Sequence, residues 1–138
     1  MKHWVEAARV RTLPLSVSGI IVGSFYAMSQ GMFNWKIVVF ALLTTLGLQI
    51  LSNFANDYGD GVKGTDNQDR VGPMRAIQSG VISPAAMKKA MVQTSAITLL
   101  FAVLLIYFAF KDHYLLYSFI FFVLGILAIA SAIRYTVG

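Results

Sequence analysis

Four of the chain's six acidic residues, Asp57, Asp60, Asp66 and Asp69, fall within thirteen positions at the exit of a long apolar run. Carboxylates gathered in this way supply the hard oxygen ligands that suit Mg²⁺, a cation that keeps several waters and is often shared with substrate phosphates. Asp57 and Asp60 stand three residues apart, so a helix puts both on one face, where like charges repel. A helix running through 37–56 and ending there would also turn its negative dipole end toward them. Both local effects are unfavourable unless a cation compensates them. Counting back along the same run, Gln49, Asn53, Asn56, Asp57 and Asp60 recur every three or four residues and form one polar stripe on an otherwise apolar helix. Such a stripe must face protein or water. Its amides can simply hydrogen-bond neighbouring helices, but carboxylates that continue the same face point to a watery metal pocket.

Basic residues follow at once. Arg70 and Arg75 are planar, permanently charged forks able to grip phosphate oxygens, and Lys63 is a flexible point charge among the acids. Arginines alone would read as an inner-leaflet patch that sets topology and binds anionic lipid. Interleaved with carboxylates, they suggest a metal-bridged diphosphate.

The elements that must position these residues are membrane helices. The chain has 138 residues, 57% hydrophobic and only 12% charged, which is beyond the range of an ordinary soluble domain. Charge-free runs of 24, 20, 21 and 20 residues cover 12–35, 37–56, 90–110 and 114–133. About 20 residues cross a bilayer core, and helices satisfy their own backbone there. We therefore expect an all-α membrane protein with four spans, about 12–35, 37–56, 84–110 and 114–134, and one long loop, 57–83. A secretory signal peptide is the alternative for the first run, but the run is too long for one and three more spans follow. With the N-terminus cytoplasmic, nine basic residues lie inside and only Lys36 and Lys111 outside, which puts the loop in the cytoplasm. The net charge of +5 is accounted for by this orientation in anionic lipid, and no nucleic-acid-binding motif is present. With no cysteine, disulfides and thiolate chemistry are excluded. Ser83-Pro84 has the form of an N-cap followed by proline at the first helical position.

The run Asn56-Asp57-Tyr-Gly-Asp60, followed by Gly64-Thr-Asp66, resembles the first aspartate-rich motif of the UbiA-type membrane prenyltransferases. Within that superfamily it is most similar to the MenA branch, the 1,4-dihydroxy-2-naphthoate polyprenyltransferases. Arg11-Thr-Leu-Pro14, Asp69-Arg70-x-Gly72-Pro73-x-Arg75 and Tyr135-Thr136 with Gly138 extend the resemblance over the whole chain. Val10 departs from the proline common in the N-terminal stretch, and the third carboxylate, Asp66, falls two residues later than in the general superfamily pattern.

The resemblance implies the N-terminal part of a UbiA-type multi-helix bundle in the inner (plasma) membrane, with a second aspartate motif in a later loop. It implies a Mg²⁺ cofactor on Asn56, Asp57, Asp60 and Asp66, with Asp57 and Asp60 catalytic. Lys63, Arg70 and Arg75 would bind the diphosphate of a polyprenyl diphosphate, and Gln49, Asn53 and Tyr58 would line the substrate pocket. The implied reaction gives demethylmenaquinol from 1,4-dihydroxy-2-naphthoate, with decarboxylation. Residues 1–138 alone, with one aspartate motif, are expected to be inactive. A sibling enzyme acting on 4-hydroxybenzoate, haem or a chlorophyll precursor is the alternative within the class. A cation-transporting subunit is the alternative outside it, and that reading wants carboxylates near mid-membrane or on several helices.

Overall fold

The computed structural model describes residues 1–72, 74–111 and 114–137, the side chains of 136 and 137 excepted. Pro73, Gly138 and the side chain of Thr136, which enter the sequence patterns above, lie outside the described residues. A short helix, α1 (Lys2–Ala8), leads through a 3-10 turn (Val10–Thr12) into α2 (Leu13–Ser29), which has Pro14 in its first turn. Then come α3 (Trp35–Lys63), the single turn α4 (Ala76–Ser79), α5 (Pro84–Phe110) and α6 (Leu115–Val137). Among the described residues, four helical stretches are long and apolar enough to cross a membrane. All regular structure among the described residues is helical.

The caps follow from local chemistry. The side-chain carbonyl of Asn34 accepts the Lys36 N–H at 3.0 Å and starts α3. The Ser83 hydroxyl accepts the Ala86 N–H at 3.1 Å ahead of Pro84 and starts α5. At the other end of α3, Gly64 takes the left-handed φ of 75° that its lack of a Cβ permits. The helix therefore runs nearly two turns beyond Asn56, where the charge-free run stops. The membrane edge ends the apolar composition but not the backbone hydrogen bonding, and the connecting segment shortens from 57–83 to 64–83. The first span is shorter than its charge-free run, because α2 closes at Ser29 and Gly31 turns the chain with φ 73°.

Helix α3 is the hub, packing against α1, α2, α4, α5 and α6. The buried core lies at the end where α3 finishes and α5 begins. Leu51, Ala55 and Met87 are fully enclosed there, with Ala7, Ala8, Ala76 and Ile82 closing the cluster. Away from that end, α2 and α6 turn large apolar side chains such as Phe25, Phe119 and Leu127 outward, as suits lipid-facing helices.

In lipid, helix association rests on close packing more than on hydrophobic transfer. The α3–α5 contact shows this at Gly47, where an added Cβ would overlap the hydroxyl of Thr98 and lie 3.1 Å from its Cβ. Thr98 is 1% exposed, and its hydroxyl makes no hydrogen bond among the described residues. Gly47→Ala is therefore expected to destabilise the bundle by about 1–3 kcal/mol through overpacking. Adding Thr98→Ala should restore most of that loss, because it vacates the same volume and removes an unsatisfied hydroxyl. Thermal unfolding of the two single variants and the double variant in detergent measures the coupling, and additive effects would refute the contact.

Candidate functional site

The last two turns of α3 carry the acids, and the segment 64–75 folds back over them. Gly61 makes the approach possible, since a Cβ there would lie 2.6 Å from Ile77 Cγ2 on α4. The Asp57 carboxylate, 3% exposed, accepts the Ile77 N–H at 3.4 Å and so caps the first turn of α4. Gln78 completes that turn by accepting the Arg75 N–H at 3.3 Å.

Arg75 then reaches back into the acids. Its Nη1 donates to Asp60 Oδ2 at 2.7 Å and to the Asn56 carbonyl at 3.4 Å, and lies 3.4 Å from Asp66 Oδ2. Arg70 Nη1 donates to Asp66 Oδ1 at 3.3 Å. The backbone holds this arrangement, with the Asp66 N–H bonded to the Asp60 carbonyl at 3.2 Å. The result is an alternating chain of charges, Asp60, Arg75, Asp66 and Arg70. All four side chains are at least three-quarters buried: Asp66 at 2% exposure, Arg75 at 16%, and Asp60 and Arg70 at 25%. At such burial each charge needs its partner, because an unpaired one would keep the full cost of desolvation.

The residues singled out from sequence thus divide. Asp57, Asp60, Asp66, Arg70, Arg75 and the backbone of Asn56 come together. Asp69 stays exposed, its N–H bonded to the side chain of Asn67 at 2.9 Å in a local turn. Lys63 is the exposed last residue of α3. Tyr58 packs against the apolar core, and Phe54 meets Trp4 edge-on at 5.8 Å between ring centres. Asn53, buried, donates to the Ala8 carbonyl at 2.8 Å and holds α1 onto α3. Gln49 bonds the Asn53 side chain at 3.4 Å and also lines a cavity of about 410 Å³ between α2, α3 and α6, among Ser16, Thr45, Ser52 and Ser131.

A larger cavity, about 740 Å³, opens between α1 and the segment carrying the arginines. Among the described residues, four arginines, Arg9, Arg11, Arg70 and Arg75, line it against two acids, Glu6 and Asp57. Arg9 and Arg11 enter the sequence reading only as topogenic charges and part of a motif. The signal that could have placed them was the charge count itself, which puts them on the same membrane side as the aspartates.

The donor set fits a magnesium ion chemically. Asp57, Asp60 and Asp66 offer hard oxygens, and Asp66 Oδ2 is buried without accepting a hydrogen bond among the described residues. Among those residues no three acidic or imidazole groups converge on one point. Arginines neutralise Asp60 and Asp66 instead.

Membrane-length helices carrying an acid–arginine cluster at one end define a multi-pass membrane protein. The family model described as "UbiA prenyltransferase family" matches residues 16–138, and the chain belongs to that family. It is 47% identical over 141 residues to the 1,4-dihydroxy-2-naphthoate octaprenyltransferase of Haemophilus influenzae, which covers 100% of this chain and 45% of the relative. It is also 47% identical over 135 residues to the Escherichia coli protein of that name, with 98% of this chain and 43% of the relative covered. The Mycobacterium tuberculosis protein so named is 37% identical over 95 residues, 69% of this chain and 32% of the relative. The chain thus spans under half the length of these curated relatives. No solved structure matches it.

Proposed function

We propose that the whole protein transfers an octaprenyl group from its diphosphate to 1,4-dihydroxy-2-naphthoate with loss of carbon dioxide, the prenylation step of menaquinone synthesis, in a Mg²⁺-dependent reaction. The observation that carries this reading is the alternation of Asp60, Arg75, Asp66 and Arg70 beside the 740 Å³ cavity. The relatives' names supply the donor and acceptor. We place the aspartate end of the bundle in the cytoplasm and the protein in the inner membrane, on the nine-to-two bias of basic residues.

In this scheme Asn56, Asp57, Asp60 and Asp66 would hold Mg²⁺, which when bound neutralises diphosphate charge and eases departure of the leaving group. The protein's own groups do the rest. Arg70 and Arg75 are forks that bind phosphate oxygens as readily as the carboxylates they now hold, and Lys63 adds a charge at the end of α3. As the allylic C–O bond breaks, its electron pair leaves with the diphosphate, and these preorganised cations stabilise the charge that develops. The ring carbon bearing the carboxylate supplies the pair for the new C–C bond, and carbon dioxide departs as the ring regains aromaticity. Gln49, Asn53 and Tyr58 are assigned to the walls of the substrate pocket. The hydroxyl-rich 410 Å³ cavity beside Gln49 suits a dihydroxylated ring.

The test is prenyl transfer by membranes of a host lacking its own enzyme and expressing the complete gene, with radiolabelled octaprenyl diphosphate. Product is expected with 1,4-dihydroxy-2-naphthoate, not with 4-hydroxybenzoate, and should vanish when EDTA removes Mg²⁺. Product with 4-hydroxybenzoate alone would assign the protein to a sibling activity, and EDTA-resistant turnover would remove the metal. We propose further that residues 1–138 expressed alone insert but do not catalyse, since they supply one aspartate motif.

A further inference from the structure

Arg9 is the half-buried cation lining the larger cavity that the scheme above does not use. It sits at the break between α1 and the 3-10 turn with φ 52° and ψ 56°, a left-handed conformation uncommon for a residue with a side chain. The surroundings hold it there from both sides. Its N–H donates to the Glu6 carbonyl at 3.0 Å, and its own carbonyl accepts the Thr12 N–H and hydroxyl, each at 2.8 Å. Asn53 clamps the adjacent Ala8 carbonyl to α3 at 2.8 Å. Strain maintained by this many contacts is the kind that functional positions store.

The break turns Arg9 into the cavity wall beside Asp57 and Arg75. There its Nη2 is buried and makes no hydrogen bond among the described residues. Arg70 and Arg75 spend their charge on Asp66 and Asp60, whereas no ion pair among the described residues includes Arg9. A guanidinium with an unmet donor, carried on a fixed backbone and lining a cavity rich in positive charge, is matched by an oxyanion. A lipid headgroup is the poorer fit, because the unmet donor is buried inside the cavity wall.

We propose that Arg9 binds a substrate oxyanion, and that Asn53 is its positioning residue through the Ala8 carbonyl. This rests on the transferase reading, in which two groups have the required chemistry: the carboxylate of the aromatic acceptor and the diphosphate of the prenyl donor. The complete protein is assayed as wild type, Arg9→Gln and Arg9→Lys, with KM measured separately for each substrate. Loss of a charged donor raises the KM of the bound substrate by about tenfold or more. Lys recovers part of the loss, keeping the charge without the fork. Asn53→Ala raises the same KM, while a purely structural Asn53 would lower only stability. A rise for the acceptor identifies its carboxylate, a rise for the donor identifies its diphosphate, and a fall in kcat at unchanged KM values overturns the proposal.

Equilibrium dialysis of purified protein against 1-hydroxy-2-naphthoate and inorganic pyrophosphate separates this idea from the activity on which it rests. If the wild type transfers no prenyl group yet binds either probe about tenfold more tightly than Arg9→Gln, the transferase reading fails and the oxyanion site stands. Equal binding by wild type and Arg9→Gln, or no binding by either, overturns the site. Should Arg9→Gln fail to insert, Arg9→Lys carries the same comparisons.

Discussion

Asp57→Asn is expected to cut prenyl transfer by about a hundredfold or more while leaving the fold intact. The two roles open to Asp57 predict opposite outcomes for this substitution. As a cap, Asp57 needs only an oxygen to accept the Ile77 N–H, and asparagine offers one of the same size in the same place. As a metal ligand and partner of the diphosphate site, it needs its negative charge, which asparagine removes. Melting temperature near wild type with activity almost lost therefore separates chemistry from architecture. Asp60→Asn should lose activity to a similar degree but also stability, because Asp60 holds Arg75 at 2.7 Å. Initial rates at matched protein levels and saturating Mg²⁺, alongside thermal unfolding in detergent, measure both. Full turnover by Asp57→Asn would leave the residue as a cap and remove it from the site.

The clustering of the carboxylates was legible because it is local. Carboxylates three residues apart at the end of an apolar run conflict with helix electrostatics, and that conflict can be read without a fold. Four membrane-length helices are equally visible, since a bilayer imposes length and apolarity on each span separately. What did not show was anything set by contacts distant in sequence. Past Asn56, α3 runs on to Lys63, and Arg75 returns from fifteen residues away to pair with Asp60. Arg9 joins the site through the Asn53–Ala8 hydrogen bond, which spans 45 positions. Asn53 and Gln49 read correctly as polar groups needing partners, but their spacing could not say that the partner of Asn53 would be the N-terminal helix. Gly61, which reads as one turn-prone residue among several in an acidic stretch, proves to be a helical position where α4 lies against α3.

Arg75 provides the second large effect. It touches Asp60, Asp66 and the Asn56 carbonyl through one Nη atom, and its side chain is 16% exposed. Arg75→Ala leaves the largely buried Asp60 without its ion-pair partner and takes from Asp66 its contact at Oδ2. A loss of about 3 kcal/mol is expected, near the lower end of the cost of breaking a buried pair, because Arg70 still holds Asp66. Arg75→Lys keeps one charge but places it on a compact ammonium, so most of the stability should return while transfer stays at least about tenfold down. Pairing Arg75→Ala with Asp60→Asn should recover stability, because the uncompensated charge goes with its partner, and should recover no activity. Unfolding in detergent and prenyl transfer across this set of variants test the two roles together. A fully active Arg75→Lys would show that the guanidinium serves only as a counter-charge. A double variant no more stable than Arg75→Ala would show that the Asp60–Arg75 pair does not hold the loop in place.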